Sequence, residues 1–327
     1  MILDLLGYAA FFLTAALTYG LICLGLNLQW GQTGLFNVGI AGFVAIGAYT
    51  SALLTTPDAP GRFGGFDMPI VVGWLAAAAV TGLAALVIGA VTLRLRSDYL
   101  AITTFGVAIS IQLVALNFQG LTGGPFGIAF IPRPFAALQG NALAFNIANF
   151  LLVATVTLVV FIGLERLVRG PWGRVLRAIR EDETAAAAIG KNARVYRLQA
   201  FVLGGAIMGL AGAVQGHFIG FIAPDNYLST LTFQVWAMLI IGGAGNNRGA
   251  LLGAVAVWGL WSASSAVTAA VFPPDQQARA ASLQIVLIGV LLAGVLVVRP
   301  RGLLAEPMTV SRFVGGYSER GSPPRVK

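Results

Sequence analysis

Few side chains in this sequence combine the residue types and spacing that covalent or metal chemistry requires. His217 is the only histidine, and it falls near the end of an apolar stretch, where a packed or interfacial role is expected. Ser264 and Ser265 also lie in an apolar stretch, with no basic residue placed to activate their hydroxyl groups. There is no HExxH motif, and Cys23 is the single cysteine, so we predict no catalytic residue and no metal site.

The acidic residues also avoid the interior of the apolar stretches. Six aspartates lie in or beside predicted loops: Asp4, Asp58, Asp67, Asp98, Asp225 and Asp275. Proton-coupled carriers keep ionisable residues at membrane depth, so proton coupling is disfavoured, although sodium could still bind backbone and hydroxyl oxygens. No GxxxxGK[ST] phosphate loop occurs, so we expect no cofactor in this chain, and any energy from ATP must enter through another polypeptide.

Nine apolar stretches surround these residues and predict an all-α polytopic membrane protein. Hydrophobic residues make up 57% of the chain and charged residues 10%, whereas soluble domains carry about 25% charged residues. A spanning helix needs about 20 mostly apolar residues. The stretches are 7–28, 33–54, 69–93, 99–118, 146–165, 198–220, 231–245, 249–270 and 282–298. The glycine-rich stretch 33–54 and the short stretch 231–245 could be broken or half-inserted, so we predict about eight to ten transmembrane helices.

The distribution of basic residues predicts the orientation of the chain. Loops on the cytoplasmic side are enriched in lysine and arginine. If the stretches alternate and the loop 166–197 is cytoplasmic, 17 of the 20 basic residues lie inside, and only Arg62, Arg133 and Arg279 lie outside. We therefore predict a membrane domain over 1–304, a cytoplasmic C-terminus and a disordered tail over 305–327. This asymmetry accounts for the net charge of +8, so no nucleic-acid partner is predicted.

The loop 166–197 carries eight of the basic residues and predicts a docking element. After Pro171, the pattern predicts one helix over 174–189, ended by Gly190 at its C′ position. Its apolar face would contain Val175, Leu176, Ile179, Ala186 and Ile189. An arginine-rich amphipathic helix could lie on the lipid surface, but anionic lipid would repel the acidic triplet. We therefore favour docking to a soluble partner through Arg174, Arg177, Arg180, Glu181, Asp182 and Glu183.

Polar groups at membrane depth are the candidates for a translocation path. They are Asn27, Asn37, Thr103, Thr104 and Asn117, each of which could instead bridge helices. The segment Thr122, Gly123 and Gly124 lies just outside a span, in a loop of about 27 residues on the predicted outer side. It could form part of an external gate or a contact for a binding protein, or it could simply provide a turn.

Several segments make the chain resemble a known family. They are QTGLFNVGIAGFVAIGAYTSALL, LRSDYLAITTFGVAI, LTGGPFGI, GRVLRAIREDETAAAAIGKNARVYRLQAFVLGGAIMGLAGAV and MLIIGGAGNNRGALLGA. In this order, over most of residues 20–260, they resemble the permeases of branched-chain amino acid ABC transporters, and the LivM type in particular. The resemblance places Glu183, Ala186, Ala187 and Gly190 in the helix that docks onto the ATPase.

The resemblance also implies a larger machine in a bacterial inner membrane. A second homologous permease, two cytoplasmic ATPases that bind ATP and Mg²⁺, and an external substrate-binding protein would complete an importer of branched-chain or related neutral amino acids. The chain departs from the family where Ile109 and Gln112 stand in place of an acidic residue and an arginine. This difference leaves open an importer of urea or short-chain amides. A stand-alone channel or secondary carrier is the alternative from another class, and it would not need the charged docking helix.

Overall fold

The fold is described from a computed structural model, which covers residues 2–58, 61–95, 97–273, 276, 302–306 and scattered positions between 282 and 297. Over these residues the chain is all-α, with one isolated antiparallel bridge between Ile128 and Ile222. The α-helices are α1 (Ile2–Leu26), α2 (Ile40–Thr55), α3 (Ile70–Thr92), α4 (Ser97–Asn117), α5 (Gln119–Thr122), α6 (Ala142–Arg169), α7 (Pro171–Glu181), α8 (Glu183–Ala188), α9 (Ala193–Ile219), α10 (Ser229–Gly242) and α11 (Asn247–Val271). A π-helical turn, Asn27–Gly31, extends α1.

Six of these helices are long and apolar enough to cross a membrane, and α2 and α10 are shorter apolar helices. The all-α polytopic fold is thus confirmed. The stretch 33–54, which the sequence allowed to be broken, is irregular at its start, because residues 32–39 are non-helical and α2 begins only at Ile40. Most of the predicted stretch 282–298 and the predicted tail from residue 307 onward lie outside the described residues.

The surface of α3 shows how the bundle meets lipid. Large apolar side chains recur at helical spacing and are exposed along it: Val71, Leu75, Leu83, Val87 and Val91. A continuous apolar stripe of this kind is rare on a soluble monomer, but it is expected where a helix contacts the hydrocarbon core of a membrane. The stripe therefore faces outward into the bilayer.

The centre of the bundle is built on α9, which packs most extensively against α2 and α3. Close approach depends on glycine, because a Cβ at Gly47 would overlap the backbone of Gly209, and one at Gly212 would overlap the Val44 carbonyl. Helices in lipid rely on such small residues, since no hydrophobic effect drives one helix onto another. This packing brings backbones close enough for side chains to bond them.

The bundle has two ends. The α7 end contains α7, α8, the loop 243–246 and the segment 302–306, and the far end contains residues 118–135 and 220–228. The 27 residues of α9 separate them by about 40 Å.

Candidate functional site

The docking segment forms two helices rather than the one predicted over 174–189. Gly170 caps α7, and Pro171 occupies its first turn. The chain then becomes extended at Asp182, whose carboxylate accepts the Ala185 amide at 2.9 Å and caps α8. Aspartate favours such N-cap positions, which is why the break falls here and not within the alanine run.

The end of α8 follows the prediction. Gly190 has a φ of +81°, and its amide donates to Ala187 at 2.9 Å while the Lys191 amide donates to Ala186 at 3.1 Å. These two bonds form a Schellman motif with Gly190 at C′.

The predicted apolar face of this segment is only partly correct. Leu176, Ile179 and Ala186 are buried, but Ile189 is 71% exposed because it follows the last turn of α8.

The predicted docking residues divide into two groups. Arg174, Glu181, Asp182, Glu183, Ala187 and Gly190 are all exposed. Arg177 and Arg180 are half-buried and turn inward instead. Arg177 donates to the Gln32 side-chain oxygen and to the Val168 carbonyl, both at 3.2 Å.

Arg180 joins three separate parts of the chain. It donates to the Gly31 carbonyl at the end of the π-helical turn, to Glu181, and to both carboxylate oxygens of Glu306 at 3.0 and 3.1 Å. Burial lowers the pKa of the Arg180 guanidinium, but hydrogen bonds and attraction from Glu306 and Glu181 outweigh this effect and raise that pKa above its usual value. The positive charge on α7 is therefore held firmly against the membrane domain.

A chain of side-chain hydrogen bonds continues from Arg177 into the bundle. Gln32 donates to the Gly245 carbonyl at 2.7 Å, and the Gly245 amide donates to the Asn27 side chain at 2.8 Å. Asn27 donates to Asn247 at 2.8 Å, and Asn247 donates to Glu165 at 2.9 Å. We call this set the polar chain; its members are Glu165, Asn247, Asn27, Gly245, Gln32, Arg177, Arg180 and Glu306. It connects α6, α11, the 243–246 loop, the π-helical turn, α7 and the segment 302–306.

The segment 302–306 is held against the same region. The amides of Leu303 and Leu304 donate to Ile241 and Gly242 at 2.7 and 3.0 Å, and Asn246 donates to the Ala305 carbonyl at 3.2 Å. These bonds satisfy carbonyls at the C-terminal end of α10. They also place Glu306 opposite Arg180.

A second amide group supports the buried non-helical segment 32–39. Asn37 donates to the Gln29 side chain at 2.7 Å and accepts the Gly39 amide at 2.8 Å. Gln29 donates to the Phe201 carbonyl at 2.8 Å, and Trp236 donates to the Asn37 carbonyl at 3.1 Å. Irregular backbone is tolerated at membrane depth only where the protein satisfies it, as these side chains do.

The five residues predicted for the path do not converge. Asn27 and Asn37 are fully buried and bridge separate elements, and Thr104 accepts the Val38 amide at 3.0 Å. Thr103 bonds the Tyr99 carbonyl of its own helix, and Asn117 is exposed and bonds Leu113. Ile109 and Gln112 line a crevice between α4 and α10 that is too narrow to hold water.

The far end places the predicted gate residues in a tight turn. The Thr122 hydroxyl donates to the Ala115 carbonyl at 2.6 Å and accepts the Gly124 amide at 3.2 Å. Gly123 and Gly124 have φ values of +76° and +60°.

His217 is buried, as expected for a packed histidine. In the neutral tautomer, its Nδ1 donates to the Pro132 carbonyl at 2.7 Å, and its Nε2 accepts the Ser51 hydroxyl at 2.8 Å.

Sequence reasoning missed five members of these groups: Gln29, Gln32, Glu165, Asn247 and Glu306. One available indication was the density of amides from Asn27 to Asn37 at the end of an apolar stretch. The others come from distant parts of the chain, so no local pattern pointed to them.

Comparison with known proteins agrees with this architecture. A family model for the permease component of branched-chain amino acid transport systems matches residues 8–296. This chain belongs to that permease family. The predicted resemblance is confirmed, and the chain is a multi-pass membrane protein.

Individual relatives of this permease carry related names. The Escherichia coli high-affinity branched-chain amino acid transport system permease protein LivM is 34% identical over 264 residues, which are 74% of this chain and 60% of that protein. The probable LivM permease of Methanocaldococcus jannaschii is 29% identical over 261 residues, 72% of this chain and 75% of the relative. Escherichia coli LivH is 26% identical over 308 residues, 90% of this chain and 93% of the relative.

The permease spans about 60% of the length of the LivM proteins from Escherichia coli and Salmonella typhimurium. No solved structure matches it.

Proposed function

We propose that this chain is a permease subunit of an ABC importer for branched-chain or related neutral amino acids. The observation that carries the proposal is the docking surface on α7 and α8, whose inward arginines bond Gly31 and Gln32. A self-sufficient channel or carrier has no use for such a surface. The names of the LivM and LivH relatives support the substrate class.

The proposed machine contains two permeases, two ATPases and an external binding protein. The sequence has no phosphate loop, so ATP would be bound and hydrolysed in the partner chains. The excess of basic residues on the α7 side supports a cytoplasmic location for this end and for the C-terminus. The far end, with Thr122 to Gly124, would then face the binding protein.

The geometry gives this docking a way to act on the membrane helices. Closure of the ATPases would move α7, and Arg177 and Arg180 would transmit that movement to the π-helical turn and the 243–246 loop. The π-helical turn ends the first span and the 243–246 loop joins α10 to α11, so both can change angle without breaking an α-helix in its middle. A shift between two such arrangements would expose the path alternately to the two sides.

The path itself is assigned to fewer residues than the sequence suggested. Asn27, Asn37 and Thr104 each have bonding partners inside the bundle. Thr103 and Asn117 on α4 bond only their own helix, so they are better placed to meet a substrate or a second permease.

The test is a Glu183→Arg/Gly190→Trp double variant in the complex reconstituted with its ATPases. We expect normal membrane insertion and continued ATP hydrolysis, with ATP-driven leucine uptake reduced at least about tenfold, because the bulky and reversed surface no longer docks. Arg248→Gln is the matched control, since it changes an exposed charge at the same end.

Wild-type uptake in the double variant would contradict the docking role. Leucine transport by this chain alone, in liposomes without ATP, would favour a channel or carrier. Uptake of urea in place of leucine would move the substrate to short-chain amides.

A further inference from the structure

A cavity at the α7 end is lined by three arginines that have no role in the function proposed above. Its volume is about 420 Å³, and it lies where α3 ends and α4, α8 and α9 begin. Its charged lining consists of Arg94, Arg194, Arg197 and Glu183. Three arginines against one carboxylate leave the cavity with an excess of positive charge.

These arginines have unused hydrogen-bonding capacity. Arg197 pairs with Glu183 at 2.7 Å, but its Nε is buried with no hydrogen-bond partner. Within the described part of the chain, Arg94 and Arg194 make no hydrogen bond or ion pair. A buried guanidinium donor without an acceptor is costly, so a ligand that brings acceptor oxygens would be stabilised here.

The uncharged residues of the cavity show what the rest of such a ligand would contact. Leu35, Leu93, Leu95 and Leu100 form the apolar part of the cavity. Beside it, Val91, Tyr99 and Ile102 are exposed on the outward surfaces of α3 and α4. The cavity thus combines a basic head with an apolar wall, and the exposed apolar residues Val91, Tyr99 and Ile102 stand within two residues of that wall along α3 and α4.

We propose that this cavity binds the phosphate headgroup of an anionic phospholipid, with the guanidinium groups of Arg94, Arg194 and Arg197 around the phosphate oxygens. Arginine suits this task because its planar fork pairs with two phosphate oxygens at once. Basic pockets between transmembrane helices on the cytoplasmic side bind such headgroups in other membrane proteins. Free phosphate shares the same chemistry, but the leucine wall would give it nothing to contact.

The bound lipid would also affect the docking surface. Glu183 lines the cavity on one side and belongs to the exposed surface of α8 on the other. A headgroup between the arginines would compete for Arg197 and thereby free the Glu183 carboxylate. Binding of a lipid in the cavity would in this way leave the negative charge of Glu183 unpaired on the exposed surface of α8.

The test measures lipid binding directly and needs no transport. The purified full chain is titrated in neutral detergent with dioctanoyl phosphatidylglycerol, dioctanoyl phosphatidylcholine and inorganic phosphate, and each titration is followed by native mass spectrometry and thermal unfolding. We expect phosphatidylglycerol to bind most tightly. An Arg94→Gln/Arg194→Gln variant should weaken that binding about tenfold or more.

The matched control is Lys191→Gln/Arg248→Gln, which removes two exposed positive charges at the same end and should leave the affinity unchanged. Because Arg94 and Arg194 are exposed, their replacement should not prevent folding. Equal weakening in both double variants would overturn the proposal, since it would show only a general effect of charge.

Two further results would also overturn it. Inorganic phosphate that binds as tightly as phosphatidylglycerol would show a free-anion site without a lipid. An Arg94→Gln/Arg194→Gln chain that binds phosphatidylglycerol normally, but loses its ATPases during purification of the complex, would assign these arginines to a protein contact.

Discussion

The two ends of the bundle are closed by different chemistry. At the α7 end, carboxylates, amides and guanidinium groups form the polar chain across six elements. At the far end, backbone-to-backbone bonds join the two segments: the amides of Ile128 and Ile222 each donate to the other's carbonyl, at 2.8 and 3.0 Å, and Ile131 donates to Gly220 at 3.1 Å. His217 and Arg133 add side-chain bonds to the Pro132 and Ile219 carbonyls. The first closure is made mainly by side chains, whereas the backbone bridge in the second depends on Gly127, which lets the two segments meet.

This difference indicates which end can respond to a partner. Side-chain bonds can be exchanged as charges approach or withdraw, because arginine and glutamate can change rotamer while their helices stay intact. A backbone bridge offers no such adjustment and keeps its geometry until the segment detaches. We therefore expect movement driven by docking to begin at the α7 end, with the far end more rigid.

The largest effect is expected from Gly127→Ala at the far end. Gly127 has a φ of +66° and a ψ of −156°, a conformation essentially restricted to glycine, and a Cβ there would overlap the Ile222 carbonyl. We expect a loss of about 3 kcal/mol or more in the free energy of unfolding, seen as a lower midpoint in thermal unfolding of the solubilised chain.

Gly140→Ala is the control, because a Cβ at Gly140 would meet open space. A stable Gly127→Ala protein would mean that the far end is not held by this backbone contact.

A smaller effect is expected from Asn27→Leu at the α7 end. The substitution leaves the Gly245 amide and the Asn247 Oδ1 atom without a hydrogen-bond partner, which should cost about 2 kcal/mol. Asn117→Leu removes an exposed amide that bonds only its own helix, so its cost should stay below about 0.5 kcal/mol. Equal unfolding midpoints for the two variants would show that the polar chain adds nothing to stability.

The smallest change in stability is expected from the Arg180 and Glu306 pair. The two side chains are 22% and 32% exposed, so solvent screens their attraction, and we expect a coupling of about 1 kcal/mol. The measurement is a double-mutant cycle with Arg180→Gln, Glu306→Gln and the combined variant, scored by unfolding and by leucine taken up per ATP hydrolysed.

If the pair transmits movement, each single variant should lower uptake per ATP, and the combined variant should lower it no further. Independent, multiplying effects would show that Arg180 and Glu306 act separately.

Part of the site was predictable because it depends on local sequence. The alternation of apolar and charged residues predicted helix in the docking segment, and Gly190 predicted its end. The direction of the Arg177 and Arg180 side chains was not predictable from the sequence. Each follows a buried residue, Leu176 or Ile179, so both lie at the margin of the apolar face of the helix. At this margin the helical periodicity of about 100° per residue does not decide whether a side chain points to solvent or to protein. Only packing against Gly31 and Gln32 settles it.

The polar residues in the spans show the same limit more sharply. Asn27 and Asn117 are the same residue type in similar apolar surroundings, yet Asn27 is fully buried where the π-helical turn, the 243–246 loop and α11 meet, and Asn117 is exposed. An asparagine side chain can bind a substrate, cap a helix or bridge two helices with the same atoms. Which of these it does depends on neighbours that are about 220 positions away in the chain, as Asn247 is for Asn27.

The sequence alone determined the membrane environment, the all-α fold, the charged segment between two spans and the family, because these follow from composition, periodicity and linear motifs. The tertiary structure alone decided that α7 and α8 separate at Asp182, that Arg177 and Arg180, predicted to dock, turn inward, and that Glu306 returns to meet Arg180. It also gathered three arginines around one cavity from positions 94, 194 and 197. The physical reason is that hydrogen bonds and ion pairs act over a few ångströms in space, and distance along the chain does not report distance in space until the helices have packed.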